Sequence, residues 1–391
     1  MRGDDRFVLV GGGPAAYAAA QAYREAGGGG EVVLLSADTE PPYERPPLSK
    51  EFLRGEAGED ELPLAPPHFY RDHGIEVVLD DAVVGLDTAG HVVHTASGRE
   101  FPYHHCLLAT GAQPARPRIP GAVHPNVRTL RSAADGRALR KAAESARSAV
   151  IAGAGFIGCE AAISLSRMGV QVTLLCPDEL PQQRRLGPTV GRKLLHWLKC
   201  EGVSVLTGTR LLGVDDGYRV RTEPVPLLDT DLVLLATGVA PRAELARQAG
   251  ISTTEGRICA DERMRTSAPG VLAAGDVALA YHAAARRPLP VEHWDDALTM
   301  GQIAGRTAAG AEATWTQPPG FRSLLGERSL KYVAWGDGFD HAELVQHEGE
   351  AFTVWYTRKE VVVGVLTHDA DDDHERGTAL VQAGLPLPAQ Q

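Results

Sequence analysis

The chain has 391 residues, enough for about two to three domains of ordinary size, and its 43% hydrophobic and 23% charged residues are typical of a folded protein. Acidic residues outnumber basic ones by 50 to 39, and the resulting net charge of −11 argues against a non-specific nucleic-acid binder. No apolar run approaches the roughly 18 residues of a membrane span, and residues 1–10 lack the apolar stretch of a secretion signal. We therefore expect a cytoplasmic protein with no nucleic-acid or membrane partner.

The cysteines are widely spaced and form no pair at the spacing of a zinc or redox motif. They are Cys106, Cys159, Cys176, Cys200 and Cys259. An odd number of scattered cysteines predicts reduced thiols rather than a disulfide framework. The neighbouring His104 and His105 are not expected to bind a metal with Cys106, because adjacent residues of a strand point to opposite faces. We expect no metal site.

The first element in the chain is a strand–turn–helix–strand unit at residues 6–35, and residues 148–175 repeat the same order. In each unit an apolar strand leads into glycines, a helix follows, and a second apolar strand closes the unit. The sequence LLATG also occurs twice, at residues 107–111 and 234–238. Internal similarity over so long an interval predicts two domains of one architecture.

Short β-type segments lie between these units, at residues 75–79, 91–94 and 203–206. Alternating strand and helix signals predict parallel sheets covered by helices. After Thr314 the pattern changes to successive strands followed by a short helix. These strands are predicted at residues 331–335, 342–346, 351–356 and 361–367. We expect an α/β fold of two interleaved Rossmann-like dinucleotide-binding domains with parallel central sheets, plus a C-terminal α+β domain with an antiparallel sheet.

Residues 11–16, Gly-Gly-Gly-Pro-Ala-Ala, fit the dinucleotide pattern GxGxxA between a strand and a helix. The first glycine makes the tight turn, the second lets the backbone approach a pyrophosphate at the helix N-terminus, and the last position needs a small residue. The predicted contacts of this turn are Gly11, Gly13, Pro14, Ala15 and Ala16. An acid that holds the ribose is expected after the second strand, but Ala37 stands there. We assign that role to Asp38, with Glu40 as the alternative.

Residues 153–158, Gly-Ala-Gly-Phe-Ile-Gly, fit the full GxGxxG pattern in the same context. A second turn implies a second dinucleotide, and a flavin with a nicotinamide is the usual pairing. The predicted contacts are Gly153, Gly155, Phe156, Ile157 and Gly158. Cys176 stands after the second strand in place of the acid that selects NADH, whereas Arg184 and Arg185 are suited to a 2′-phosphate. The choice between NADH and NADPH stays open.

Residues 271–276, Val-Leu-Ala-Ala-Gly-Asp, are typical of a buried strand that ends in Gly275 and Asp276. A carboxylate at this place can accept hydrogen bonds from the ribityl hydroxyls of a flavin cofactor. The alternative is that Asp276 only caps a helix N-terminus. The two dinucleotide turns upstream favour the cofactor role.

Residues 42–50, Pro-Tyr-Glu-Arg-Pro-Pro-Leu-Ser-Lys, settle the resemblance. With both glycine turns, both LLATG segments, LAAGD and Glu292-His293-Trp294, they resemble the ferredoxin-reductase branch of the FAD- and NAD(P)H-dependent pyridine nucleotide-disulfide oxidoreductases. That branch includes putidaredoxin reductase, the reductase components of aromatic dioxygenases and apoptosis-inducing factor. The resemblance runs from about residue 7 to about residue 366. With it we expect an FAD-binding domain at residues 1–114 and 239–314, an NAD(P)H-binding domain at 115–238, and a C-terminal α+β interface domain at 315–391.

The resemblance also implies roles for individual residues. Lys50 and Glu160 are the implied catalytic pair beside flavin N5, where a cation stabilises the reduced cofactor. Asp276 is implied to hold the ribityl chain, and the backbone at His293 and Trp294 to face the pyrimidine edge of the flavin. All cofactor contacts expected outside the two glycine turns are Asp38, Arg45, Lys50, Val83, Ala109, Arg131, Arg184, Gly238, Gly275, Asp276, His293 and Trp294.

The implied function is transfer of electrons from NADH or NADPH through FAD to an iron–sulfur ferredoxin that serves a haem monooxygenase or a ring-hydroxylating dioxygenase. The chain departs from the family at residues 321–325, Phe-Arg-Ser-Leu-Leu, where the usual Asp-Gln pair is missing. Two alternatives therefore stay open: a flavin oxidoreductase that acts directly on a small molecule or oxygen, and an NADH-responsive binding protein like apoptosis-inducing factor. A disulfide reductase is disfavoured because residues 43–50 contain no cysteine. A monomer and a homodimer both stay open.

Overall fold

The computed structural model describes residues 5–225 and 227–388, which form two compact units. Unit 1 comprises the described residues of Met1–Glu44, Leu62–Gln113 and Ala240–Phe321. Unit 2 comprises the described residues of Arg45–Glu61, Pro114–Val239 and Arg322–Gln391. Each unit therefore collects three separate segments of the chain. The domain boundaries suggested by the sequence stay a prediction.

Unit 1 is built on a parallel sheet whose strands are nearly continuous apolar runs. In spatial order the strands are Val271–Ala273, His105–Leu108, Arg6–Val10, Glu31–Leu35 and Ile75–Val78. All neighbours in this sheet run parallel. Phe7, Val8 and Leu9 are fully buried, as expected of a strand covered on both faces.

The remaining elements of unit 1 surround this sheet. Its helices are Pro14–Glu25, Pro67–Asp72, Glu244–Gln248 and Trp294–Ala308, with a 3₁₀ turn at Gly275–Val277. An antiparallel sheet contains Val83–Asp87, Val92–Thr95 and Glu100–Pro102. A further sheet contains, in spatial order, Thr253–Thr254, Arg257–Ala260, Ala278–His282 and Arg287–Pro290. The short strands Ala112–Pro114 and Val239–Pro241 lie where the chain passes between the units.

Two glycines let the long helices of unit 1 approach each other closely. Gly301 and Gly305 lie one turn apart in the helix Trp294–Ala308. A Cβ atom on Gly301 would overlap the carbonyl oxygen of Ala15, and one on Gly305 would overlap that of Ala19. The Ala-rich helix Pro14–Glu25, which begins at the first glycine turn, is thereby fixed against the helix that begins at Trp294.

Unit 2 contains a second parallel sheet. In spatial order its strands are Ser204–Thr207, Gln171–Cys176, Ser148–Ala152, Leu232–Leu235 and Val127–Arg128. Its helices are Glu51–Arg54, Ala133–Ala143, Phe156–Arg167, Gln183–Cys200, which is interrupted at Gly187, and Asp371–Ala383. The 3₁₀ turns are Pro46–Ser49 and Glu59–Glu61. A small antiparallel sheet contains Arg210–Asp215, Arg219–Glu223 and Leu227–Asp229.

The C-terminal sheet has one more strand than the sequence predicts. In spatial order its strands are Gly320–Leu325, Arg328–Ala334, Val361–His368, Phe352–Arg358 and His341–Gln346, and the last four are antiparallel. The strand Gly320–Leu325 was not expected, although its buried and exposed residues alternate as in a strand with one covered face. The predicted α/β class, with parallel central sheets and an antiparallel C-terminal sheet, is confirmed. Across the described residues, we find no helix both long and apolar enough to cross a membrane.

Candidate functional site

The first glycine turn lies at the carboxyl edge of the unit 1 sheet. Gly11 has φ +132°, and a Cβ atom there would overlap the carbonyl oxygen of Ala109, so the turn requires glycine. A Cβ atom on Gly12 would likewise overlap the hydroxyl of Ser36. The helix begins at Pro14, and no described side chain caps its N-terminus. This close-packed turn and its uncapped helix end fit a bound pyrophosphate.

Asp38, the predicted ribose acid, lies in the loop after the second strand of that sheet. Its carboxylate accepts a hydrogen bond from the hydroxyl of Tyr43 at 2.8 Å, and its amide donates to the hydroxyl of Ser36 at 3.1 Å. Ala37 is exposed beside it. The loop thus fixes one carboxylate near the first glycine turn.

Asp276 lies in the tight turn after the strand Val271–Ala273. Gly275 has φ +76°, and Asp276 is 8% exposed. The buried guanidinium of Arg257 donates to the carbonyl oxygen of Asp276 and to the carboxylate of Glu292. One arginine therefore ties this turn to the segment that leads into His293. Sequence reasoning missed Arg257, because nothing near it in the chain marks it.

His293 and Trp294 lie at the start of the helix Trp294–Ala308. His293 is extended and precedes the helix, no described side chain caps this N-terminus, and the His293 ring packs on Phe321 at 5.3 Å between ring centroids. In the first turn, Asp296 is buried, whereas Asp295 is exposed. Burial raises the pKa of Asp296 from 3.8 to about 7, and the nearby carboxylates of Asp295 and Asp276 act in the same direction. Asp296 was also missed from the sequence.

Unit 2 carries the second glycine turn. Gly153 has φ +112°, and a Cβ atom there would overlap the carbonyl oxygen of Ala236. A Cβ atom on Gly158 would overlap the backbone of Gly153. Gly155 precedes the helix Phe156–Arg167 without a side-chain cap among the described residues, and Ile157 is 38% exposed. The geometry repeats that of the first turn and fits a second dinucleotide.

Cys176 occupies the end of the second strand of this unit. The residue is 2% exposed, and burial raises the pKa of its thiol, so Cys176 does not replace a ribose-binding carboxylate. The next acid, Asp178, pairs with Arg184 at 2.8 Å. The Arg184 side chain is 84% exposed, so this ion pair binds it only weakly.

Lys50 and Glu160 lie 110 positions apart in the chain and meet in unit 2. The Lys50 ammonium is 2.9 Å from Glu160 Oε2, with side-chain exposures of 12% and 7%. Ser49 Oγ donates to the same oxygen at 2.6 Å, and Ser323 Oγ donates to Oε1 at 2.7 Å. We call Ser49, Lys50, Glu160 and Ser323 the lysine–glutamate cluster. Both carboxylate oxygens are satisfied, so the carboxylate is held in one place.

The backbone around Ser49 is anchored as well. Ser164, one turn after Glu160 in the helix Phe156–Arg167, donates to the carbonyl oxygen of Ser49 at 2.7 Å. Arg54 donates to the Ser164 hydroxyl at 3.2 Å. The resemblance implied the Lys50–Glu160 pair, whereas the contribution of Ser323 was not foreseen, because it comes from the unexpected strand Gly320–Leu325.

The remaining predicted contacts are divided between the units. In unit 1, Val83 begins the strand Val83–Asp87, and the amide of Ala109 donates to Val10 at 2.9 Å. In unit 2, Arg45 precedes the 3₁₀ turn Pro46–Ser49. Arg131 precedes the capped helix Ala133–Ala143, and Gly238, with φ +99°, follows the second LLATG strand. Their roles at a cofactor stay predictions.

Residues 5–301 match the family described as pyridine nucleotide-disulphide oxidoreductase. The chain belongs to this family. FAD and NAD(P)H, the cofactors of these oxidoreductases, are therefore its cofactors. Among the described residues, no cluster suited to a metal ion occurs.

The relatives of this oxidoreductase include a ferredoxin reductase subunit and an apoptosis-inducing factor. It is 34% identical over 386 residues to the 5,5'-dehydrodivanillate O-demethylase ferredoxin reductase subunit of a Sphingobium species, covering 96% of this chain and 93% of the relative. It is 31% identical to apoptosis-inducing factor 3 of Mus musculus, covering 93% of this chain but spanning only 61% of that relative. Among solved structures, it resembles the covalent putidaredoxin reductase–putidaredoxin complex, with TM-score 0.93, 28% identity and coverage of 99% and 95% of the two chains.

Proposed function

We propose that this oxidoreductase is a ferredoxin reductase that passes electrons from NAD(P)H through FAD to an iron–sulfur ferredoxin. The lysine–glutamate cluster carries the proposal. Burying an ammonium and a carboxylate together costs desolvation free energy, and such buried charges are concentrated at functional sites. Two glycine turns with uncapped helix ends supply places for two dinucleotides. The resemblance to a reductase solved with its iron–sulfur partner supports the choice of acceptor.

The chain's own residues would act as follows. The turn at Gly11 and the turn at Gly153 each hold a pyrophosphate through backbone amides. Asp276 and Asp38 accept hydrogen bonds from sugar and ribityl hydroxyls. Lys50, fixed by Glu160, places a positive charge where the reduced cofactor gains negative charge.

FAD, when bound, supplies the conversion of a two-electron hydride into single electrons. The protein supplies orientation and electrostatics for that conversion. We further propose that the ferredoxin serves a haem monooxygenase or a ring-hydroxylating dioxygenase, and that the chain works in the cytoplasm, where its unpaired cysteines stay reduced.

The role of Lys50 is tested with the FAD-loaded protein by anaerobic stopped-flow spectroscopy at the flavin absorption band. Lys50→Met removes the charge, and Lys141→Met removes an exposed lysine of the same unit as a control. We expect Lys50→Met to slow flavin reduction by NADH or NADPH, or reoxidation by a ferredoxin, by at least about tenfold, which is 1.4 kcal/mol in a barrier. Wild-type rates for both half-reactions in Lys50→Met would contradict the assigned role.

The two alternatives predict different results. A direct oxidoreductase would be reoxidised quickly by oxygen or a small quinone and slowly by ferredoxins, and the departure at residues 321–325 gives a reason to test this. The similarity to apoptosis-inducing factor 3 supports the other alternative, a binding protein that responds to NADH. Such a protein would turn over slowly and change its sedimentation when NADH is added.

A further inference from the structure

The carboxyl group of Asp296 is an unusual feature of unit 1. It lies in the first turn of the helix Trp294–Ala308, and the residue is 6% exposed. The backbone amide of Gly320 donates a hydrogen bond to this carboxyl group. Its Oδ2 atom is buried and, within the described part of the chain, has no hydrogen-bond partner. A buried carboxyl oxygen without a partner is costly as an ion and less costly as a protonated acid.

Several charges act on this carboxyl group. The hydrogen bond from the Gly320 amide lowers the pKa of Asp296, and the N-terminus of its own helix also favours the ionised form. Burial opposes ionisation, and so do the carboxylates of Asp295 on the same helix and Asp276 on the turn Gly275–Val277. Burial is the largest of these effects, and the pKa of Asp296 is raised to about 7. Small changes in nearby charge therefore change the protonation of Asp296 at neutral pH.

The surroundings of Asp296 are segments that the family resemblance and our proposed function assign to FAD. Asp296 follows Trp294 by two positions and interacts electrostatically with Asp276. Its hydrogen-bond donor, Gly320, precedes Phe321, whose ring packs on His293. A negative charge added to a cofactor held by these segments acts on Asp296 in the same direction as Asp276 does, and so favours protonation.

We propose that Asp296 takes up a proton when the bound FAD is reduced and releases it when FAD is reoxidised. This inference rests on the proposed function. Hydride transfer moves two electrons and one proton from NAD(P)H to the cofactor and leaves NAD(P)⁺, which adds one negative charge to the cofactor site. One proton from solvent binds Oδ2 of Asp296 and balances that charge. When two electrons leave to one-electron acceptors, the proton carried by the hydride and the proton on Asp296 both return to solvent.

The test measures the reduction potential of the FAD-loaded protein as a function of pH between about 5.5 and 8.5. Near neutral pH the wild-type protein should take up clearly more than about one proton per two electrons, because Asp296 titrates together with the flavin. Asp296→Asn should return to the uptake expected of the flavin alone. Asp295→Asn is the matched comparison, since it removes the same charge from an exposed neighbour in the same helix turn. Because the Asp295 carboxylate raises the pKa of Asp296, this variant should keep the extra proton uptake but show it at lower pH.

Infrared spectroscopy gives a second measurement that does not depend on a variant that folds. The difference spectrum between reduced and oxidised wild-type protein should contain the carbonyl band of a carboxylic acid that gains a proton on reduction and shifts in D₂O. Absence of such a band, or the same pH slope in Asp296→Asn and wild type, would overturn the inference while leaving the proposed function intact. Failure of the wild-type protein to bind FAD, or of NADH and NADPH to reduce it, would instead overturn the proposed function and this inference with it.

Discussion

Replacing Glu160 by Gln should destabilise the protein more than any exposed charge change in unit 2. Glu160 accepts hydrogen bonds from Ser49, Lys50 and Ser323, and the Lys50 side chain is only 12% exposed. Glu160→Gln keeps the shape but leaves an ammonium without its counter-charge in a nearly closed site. Removal of one partner from a buried ion pair costs about 3–5 kcal/mol, and the remaining exposure of Lys50 places our expectation at about 3 kcal/mol.

A double-mutant cycle separates the ion pair from the loss of either side chain. Lys50→Met with Glu160→Gln removes both charges, so this double variant should be no less stable than Glu160→Gln alone. The coupling energy should be about 2 kcal/mol. Chemical unfolding of the FAD-loaded proteins, followed by circular dichroism, gives the midpoints. Glu144→Gln, an exposed acid in unit 2, is the control and should change stability by less than about 0.5 kcal/mol.

The reasoning would be refuted if Glu160→Gln unfolded at the wild-type midpoint. It would also be refuted if the free-energy changes of Lys50→Met and Glu160→Gln added up to that of the double variant within about 0.5 kcal/mol. The ion pair, with its atoms 2.9 Å apart, would then contribute nothing to stability.

Three further changes probe other parts of the structure. Arg257→Met removes the hydrogen bonds to Glu292 and to the turn at Asp276. FAD affinity, measured by flavin fluorescence, should therefore fall by at least about tenfold, or 1.4 kcal/mol. An unchanged affinity would exclude a role for Arg257 at the cofactor site. Gly305→Val places side-chain atoms where the backbone of Ala19 lies and should lower stability by about 1–3 kcal/mol, measured as a fall in the thermal midpoint. Gly256→Ala is the comparison, because a Cβ atom there has open space although φ is +74°, and it should lower stability less. Arg184→Ala should raise the steady-state KM for NADPH and leave that for NADH unchanged, because the exposed Arg184 pairs with Asp178 after the second strand of this unit and is suited to a 2′-phosphate. Equal KM changes for both nucleotides would exclude that role.

The parts of the site that the sequence predicts well are those made by neighbouring residues. Each glycine turn is a local arrangement of strand, glycine and helix, so the order of residue types along the chain is enough to locate Gly11 and Gly153. The parallel sheets followed from the alternation of helix signals with apolar strands such as residues 7–10. These features depend on residues within a few positions of each other.

The parts that could not be predicted join distant segments. Ser323 reaches Glu160 from 163 positions away, and Arg257 bridges Asp276 and Glu292 across 19 and 35 positions. No local pattern marks either contact. The unusual state of Asp296 could not be predicted either, because an acid in the first turn of a helix is ordinarily exposed and ionised. Its neighbour Asp295 is exposed in this way. The Lys50–Glu160 pair was available only through the resemblance.

The central claim is that electrons leave this protein one at a time to an iron–sulfur partner. The most direct measurement reduces the FAD-loaded wild-type protein anaerobically with one equivalent of NADH or NADPH, and then mixes it in a stopped-flow instrument with an oxidised [2Fe–2S] ferredoxin. We predict fast reduction by one of the nucleotides, followed by reoxidation of the flavin that matches reduction of about two ferredoxins for each FAD. Fast reduction followed by reoxidation only with oxygen or a small quinone would contradict the claim.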